Sequence, residues 1–106
     1  MAEFLTAPMT VRVAGDIPPG QGRVFLVNGQ EIAVFRQRDG RLFATQNRCP
    51  HKNGPLAEGF VGDGKVICPL HAWKFDLQSG EGPEKSCLKT YPVREAEAGL
   101  VVELRP

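Results

Sequence analysis

Two short segments of the chain set soft and borderline metal ligands almost side by side. Cys49-Pro50-His51 is followed, after the sixteen residues 52–67, by Cys68-Pro69-Leu70-His71. Each segment offers one thiolate and one imidazole, and together they use both histidines and two of the three cysteines of the chain. Two chemistries take such a set. One is a closed tetrahedral zinc shell. The other is a [2Fe–2S] cluster in which one iron takes two thiolates and the other two neutral imidazoles. Common zinc knuckles pair like ligands at Cys-x-x-Cys spacing, and the mixed pairs here depart from that pattern. The spacing therefore points to iron, with Cys49 and Cys68 on one ion and His51 and His71 on the other. Zinc remains the alternative, and colour separates the two: red-brown with an EPR signal on reduction, or colourless.

Charge arithmetic shows what the mixed set achieves. Two ferric ions, two bridging sulfides and two thiolates sum to zero, and to minus one after reduction. A site of four thiolates carries two more negative charges, so an electron enters it less easily. Histidine-ligated centres accordingly reach about −150 to +300 mV, against about −400 mV for plant-type ferredoxins. The reduced iron withdraws less charge from its imidazoles, so their pKa rises as the electron enters and the potential falls at alkaline pH.

The rest of the chain must position these loops. With 106 residues it has room for one core and no second catalytic domain. At 42% hydrophobic and 24% charged it has an ordinary globular composition. A net charge of +1 shows no sign of the basic surface that a phosphate backbone requires, which argues against nucleic acid as a partner. The longest apolar runs fall far short of the roughly 20 residues that span a bilayer, and residues 1–10 show no export signal. A cytoplasmic, membrane-free protein is the expectation, in which cysteines serve metal or redox chemistry rather than disulfides.

Turn signals recur at Asn28-Gly29, Asp39-Gly40, Asp63-Gly64, Ser79-Gly80 and Ala98-Gly99. Between them, strands are expected near 10–14, 23–27, 31–36, 42–46, 65–68, 88–93 and 100–103. Asn28-Gly29 and Asp39-Gly40 read as tight hairpins in which both central residues need positive φ. No long window carries an apolar stripe at helical spacing, so the fold class is all-β, with at most a short helical turn near 55–58 or 94–98. The loops near 48–60 and 68–83 are long, rich in Pro and Gly, and carry the ligands.

At this point the chain resembles the Rieske [2Fe–2S] family, whose motif is Cys-x-His, a segment of about this length, then Cys-x-x-His. The resemblance covers most of the chain. It implies a single domain over 1–106 of stacked antiparallel sheets with two cluster loops, whose histidine edges lie at the surface where the electron leaves. High-potential members carry an extra disulfide between the loops and hydroxyl donors beside the cluster. Gly54 and Leu70 stand at the disulfide positions here, and Trp73 and Phe75 near the donor positions, which implies a potential at the low end of the range, below about +150 mV at neutral pH. Within the family, the loop from Cys49 to Gly59, the segment from Cys68 to Glu81 and the run from Cys87 to Val93 resemble the small subunits of assimilatory NAD(P)H-dependent nitrite reductases. That implies a large partner subunit carrying flavin and sirohaem. Ferredoxins that serve ring-hydroxylating dioxygenases share length, fold and loop pattern, and a ferredoxin with a reductase and an oxygenase as partners is the alternative. A metal-stabilised structural interaction module is a third.

With both histidines assigned, none is left for the two-His-one-carboxylate iron of an oxygenase, and neither Gly20-x-Gly22 nor Gly80-x-Gly82 opens a helix after a strand as a dinucleotide fingerprint would. The chain is therefore read as an electron carrier with no catalytic site of its own. Cys87 reads as a small buried hydrophobe, and Trp73 and Phe75 as anchors of the second loop on the sheet. Arg48, Lys52 and Lys74 could steer an acidic partner, and Pro50 and Leu70 could form a small apolar contact patch beside the histidines.

Overall fold

The computed structural model describes residues 9–13, 17–27, 29–50, 53–70, 72–96 and 99–104. Ten strands run through them in chain order: β1 (Met9–Val13), β2 (Gln21–Val27), β3 (Gln30–Arg36), β4 (Leu42–Gln46), β5 (Phe60–Gly62), β6 (Lys65–Ile67), β7 (Lys74–Asp76), β8 (Thr90–Tyr91), β9 (Val93–Ala96) and β10 (Gly99–Leu104). They form three antiparallel sheets in the orders β1-β10-β9, β2-β3-β4-β8 and β5-β6-β7. The all-β expectation holds. Among the described residues no helix is long and apolar enough to cross a membrane.

The hairpins follow from their turn residues, with one difference. Val27 pairs with Gln30 across β2–β3, and Gly29 has φ +79°, while Asn28 lies outside the described residues. Gly62 pairs with Lys65 around Asp63 and Gly64, both at positive φ, which is the two-residue tight turn. Asp39-Gly40 instead closes a longer loop: Gln37 N–H donates to Arg41 O, Gly40 N–H to Gln37 O, and only Gly40 has positive φ. A type I turn followed by a left-handed glycine needs one such residue, not two.

β3 divides the molecule. Ile32 and Val34 point into a core shared with Ile17, Val27, Ala44, Tyr91, Leu100 and Val102, between this sheet and that of β10. Ala33 and Phe35 point the other way, into a second core with Leu56, Val66, Phe75 and Leu77 that also takes in both loop cysteines. A continuous apolar run of four suits a strand buried on both faces. The expected strand over 88–93 breaks in two: Thr90–Tyr91 pairs with β4, and Val93–Ala96 pairs with β10. Pro92, which has no N–H to give a ladder, marks the place where the chain changes sheets. A 3-10 turn does form at Leu56–Glu58, but Arg94 to Ala96 are strand and not helix, paired through Arg94 with Val101 and Glu95 with Leu100. Residues 97 and 98 lie outside the described residues.

Candidate metal centre

The first loop leaves β4 at Asn47 and returns at the Leu56–Glu58 turn. Asn47, 3% exposed, brackets it. Its carbonyl accepts Leu56 N–H at 2.7 Å and its side-chain oxygen accepts Ala57 N–H at 3.0 Å. Its side-chain amide donates to Glu31 on β3 at 2.8 Å. Inside the bracket, Asn53 N–H donates to Cys49 O at 2.8 Å and Cys49 N–H to Gly54 O at 3.0 Å, with Asn53 at φ +59°. The loop thus folds back on Cys49 and aims its side chain inward.

The second loop is the turn of the β6–β7 hairpin. Ile67 pairs with Lys74, and Cys68 N–H donates to Trp73 O at 2.7 Å. Ala72 takes φ +55°. Phe75, fully buried, anchors the return strand, and Gly82 leaves no room for a side chain against its ring. Trp73 is half-buried, its ring centre 6.3 Å from that of Phe75 at 44°. Both aromatics thus do anchor the loop, as their alternation around exposed Lys74 predicts.

The loops bring Cys49 and Cys68 together, 0% and 1% exposed and not disulfide-bonded. Burial pushes the Cys68 thiol above its ordinary value, the Leu70 N–H donating to the sulfur pulls it back, and a hydrogen bond to the Cys49 thiol and repulsion from it push it up again. A sulfur so placed becomes comfortable as a thiolate only beside a strong positive charge, which iron supplies. Gly54 closes the cradle: a Cβ there would lie 3.0 Å from Cys68 Sγ and 3.1 Å from Leu70 Cγ and Cδ1. Gly54 and Leu70 therefore face each other, and the leucine side chain fills the space beside the glycine. The donor set and the cradle fit a cluster that takes both thiolates. His51 and His71, with Lys52, lie outside the described residues.

Two expectations need correction. Cys87 is exposed, not a buried hydrophobe. It forms an isolated bridge with Glu81 outside the sheets, with Sγ 3.7 Å from Ser79 O and 3.6 Å from Leu88 O. Leu88, its neighbour, takes the core position instead. Arg48 is not a free steering charge: its Nε lies 2.9 Å from Glu31 Oε1, its Nη2 3.1 Å from Glu31 Oε2, and its Nη1 donates to Asn53 O at 3.1 Å. Hydrogen bonds from Asn47 and Arg48 hold the Glu31 carboxyl below its usual range. Glu31 and Asn47 were missed in the sequence because nothing local marks them; each acts on a residue ten or more positions away. Pro50 and Leu70 are exposed, as a contact patch requires, with Leu70 at 42%.

An all-β scaffold that brings two buried, disulfide-free thiols together on adjacent loops fits a small metal-bearing protein of the iron–sulfur class. The Rieske [2Fe-2S] domain matches residues 7–92, and the chain belongs to this family. Its cofactor is a Rieske-type [2Fe–2S] cluster. Among its relatives, the biphenyl dioxygenase ferredoxin subunit of Pseudomonas sp. (strain KKS102) is 39% identical over 92 residues, covering 83% of this chain and 84% of that one. The 4β-methylsterol monooxygenase of Methylococcus capsulatus is 37% identical over 103 residues, 86% of this chain, and this match spans 28% of that longer protein. A crystal structure from Mycobacterium tuberculosis, provisionally assigned as the small subunit of an NADH-dependent nitrite reductase, superposes with a TM-score of 0.80 at 26% identity, covering 94% of this chain and 96% of that one.

Proposed function

We propose that Cys49 and Cys68 hold one iron of the cluster, that His51 and His71 hold the other, and that the chain, a single domain over 1–106 with loops near 48–60 and 68–83, passes one electron at a time between protein partners. The observation that carries this is the pair of fully buried thiols within hydrogen-bonding reach of each other, one of them already accepting a backbone N–H. When bound, the cluster supplies a one-electron couple. The chain's own part is to exclude water from the thiolate side with Leu56, Phe75 and Leu77, to hold Cys68 by the Trp73 carbonyl, and to offer the Leu70 N–H to sulfur. That donor favours the more negative, reduced form.

Two partner sets suit the carrier. Near full-length likeness to the Mycobacterium tuberculosis protein supports a small subunit of an NAD(P)H-dependent nitrite reductase, working with a large chain that holds flavin and sirohaem. The 39% identity to the biphenyl dioxygenase ferredoxin supports a shuttle from a flavin reductase to a ring-hydroxylating oxygenase. The cytoplasm, where NAD(P)H is available, is the compartment that either reading requires.

The test of the carrier is iron and acid-labile sulfide in the purified protein, with a Rieske EPR signal on reduction that is lost in Cys49→Ser and Cys68→Ser. Colourless protein holding zinc, or no iron and sulfide after anaerobic reconstitution, overturns it. A stable complex with a sirohaem chain selects the first partner, and oxygenase turnover through a flavin reductase selects the second. His71→Cys separates a structural module, for which the parent system keeps its activity, from a carrier, for which it does not.

A further inference from the structure

The two loops are fastened to the scaffold in different ways. The second is the end of a strand pair, so the β6–β7 ladder itself sets where Cys68 stands. Among the described residues, the first has no partner strand beyond a single bridge between Arg48 and Pro55. Two ties hold it to the scaffold on this side: the Gln46 side-chain amide at the end of β4, which donates to Arg48 O at 2.7 Å, and Glu31. Glu31 O accepts Asn47 N–H at 3.3 Å, and the carboxylate takes the Asn47 amide and the Nε–Nη2 edge of the Arg48 guanidinium. The remaining nitrogen, Nη1, donates to Asn53 O, on the far side of Cys49. The carboxylate, planted next to the doubly buried run from Ile32 to Phe35, is therefore linked through Arg48 to the loop beyond the ligand.

We propose that Glu31 is a positioning residue for the cluster: it aims the Arg48 guanidinium across the first loop, holds Cys49 to one geometry, and balances the cation next to that thiolate. The inference rests on the cluster reading above. A bidentate carboxylate–guanidinium contact fixes orientation as well as distance, which a lysine at position 48 would not do. The pair is also partly exposed, with side chains 52% and 37% accessible. Pairs so placed add little to global stability, so the clamp acts on loop geometry and local charge rather than on folding. That separates it from a merely structural role.

Opposite signs follow. Glu31→Gln leaves the Arg48 charge unbalanced beside Cys49, favours the reduced cluster, and raises the reduction potential. Arg48→Met removes the cation and lowers it. The double variant returns the potential toward wild type, yet its loop stays unclamped. Loss of such an outer support costs about tenfold or more in metal affinity, so chelator-driven iron loss from Glu31→Ala and from the double variant is expected to be about tenfold faster.

The experiment measures, for the purified holoprotein, the reduction potential by EPR-monitored titration, the spread of g-values and the rate of iron loss to a chelator. Global unfolding is followed alongside, and amide exchange of 49–54 is measured in cluster-free chain. Glu95→Gln, which breaks the Arg36–Glu95 pair at 3.0 Å at the other end of β3, serves as control. The expected result is potentials that move in opposite directions, broadened g-values and faster exchange of 49–54, with an unfolding midpoint close to wild type and no change in the control. Potentials, iron loss and exchange equal to wild type in all four Glu31 and Arg48 variants overturn the clamp while leaving the cluster reading intact. If Glu31→Ala does not fold, Glu31→Gln carries the same comparison. Wild-type protein that takes up no cluster overturns the cluster reading and the potential-setting role together, and the exchange data still report whether Glu31 orders the loop.

Discussion

Gly59 joins the first loop to β5, and its backbone, at φ −83°, is open to any residue. Space is what excludes a side chain. A Cβ there would overlap the Ile67 carbonyl oxygen and lie 3.1 Å from the Ile67 carbonyl carbon and 3.2 Å from Leu56 O. All of these are backbone atoms, so no side chain can swing away, and Gly59→Ala must part β5 from β6 or deform the Leu56–Glu58 turn. Overpacking a well-filled site costs about 1–3 kcal/mol, and a rigid backbone obstruction belongs at the top of that range. About 3 kcal/mol is roughly a hundredfold in the unfolding equilibrium, or about 12 °C or more in Tm for a chain of this size. Ile67 immediately precedes Cys68, so the same displacement shifts one sulfur relative to the other, and cluster occupancy falls as well. Gly62→Ala, three residues along at the other end of β5, meets nothing within 4 Å and is expected to stay within about 0.5 kcal/mol of wild type. Urea unfolding followed by far-UV circular dichroism, with iron content measured on the same samples, gives both numbers. A Gly59→Ala protein as stable as Gly62→Ala, or equal losses in the two, would refute the steric reasoning.

Phe75→Ala should cost about 3–5 kcal/mol, because it empties a fully buried ring site under the second loop; an unfolding midpoint unchanged from wild type would contradict the packing described. In the folded holoprotein a thiol reagent should modify Cys87 rapidly and spare Cys49 and Cys68, and mass spectrometry showing three labels, or none, would be the contrary result. Backbone amides, that of Ser79 foremost, hold the Asp76 carboxyl below its ordinary value, and Asp39 and Glu95 are held down by Arg41 and Arg36. A carboxylate whose folded pKa is lowered contributes stability above its unfolded pKa and loses it as pH falls through the folded one, so stability should decline below about pH 4. Asp76→Asn should flatten part of that decline, and a urea midpoint with the same acid slope in the variant would show that the carboxylate does not contribute.

How much was legible in advance follows the range of the interactions. Side-chain type and local spacing were enough for Cys49, His51, Cys68 and His71 to be read as one ligand set, and turn residues were enough for the β2–β3 hairpin and for a turn at Asp63-Gly64. Strand β5 and strand β7 were not expected: each is three residues long, too short for an alternation to show, and glycines flank or end the first. The place where the chain changes sheets at Pro92 and the exposure of Cys87 were misread for a related reason, since a β-like run does not say which neighbour it will pair with.

The amino-acid sequence by itself determined the chemistry available: two thiols and two imidazoles, each pair within a few residues, on a chain built of short strands and tight turns. Those properties are local, and hydration, dihedral preference and ligand chemistry act on them wherever the chain lies. Only the tertiary structure decided that Cys49 and Cys68 meet in one dry pocket, that Gly54 and Gly59 are glycines because backbone and sulfur pass close by, and that Glu31 is tied to a loop sixteen residues on. Each of those depends on contacts between segments far apart in the chain. Such contacts arise from packing the two faces of β3, and no stretch of sequence records them alone.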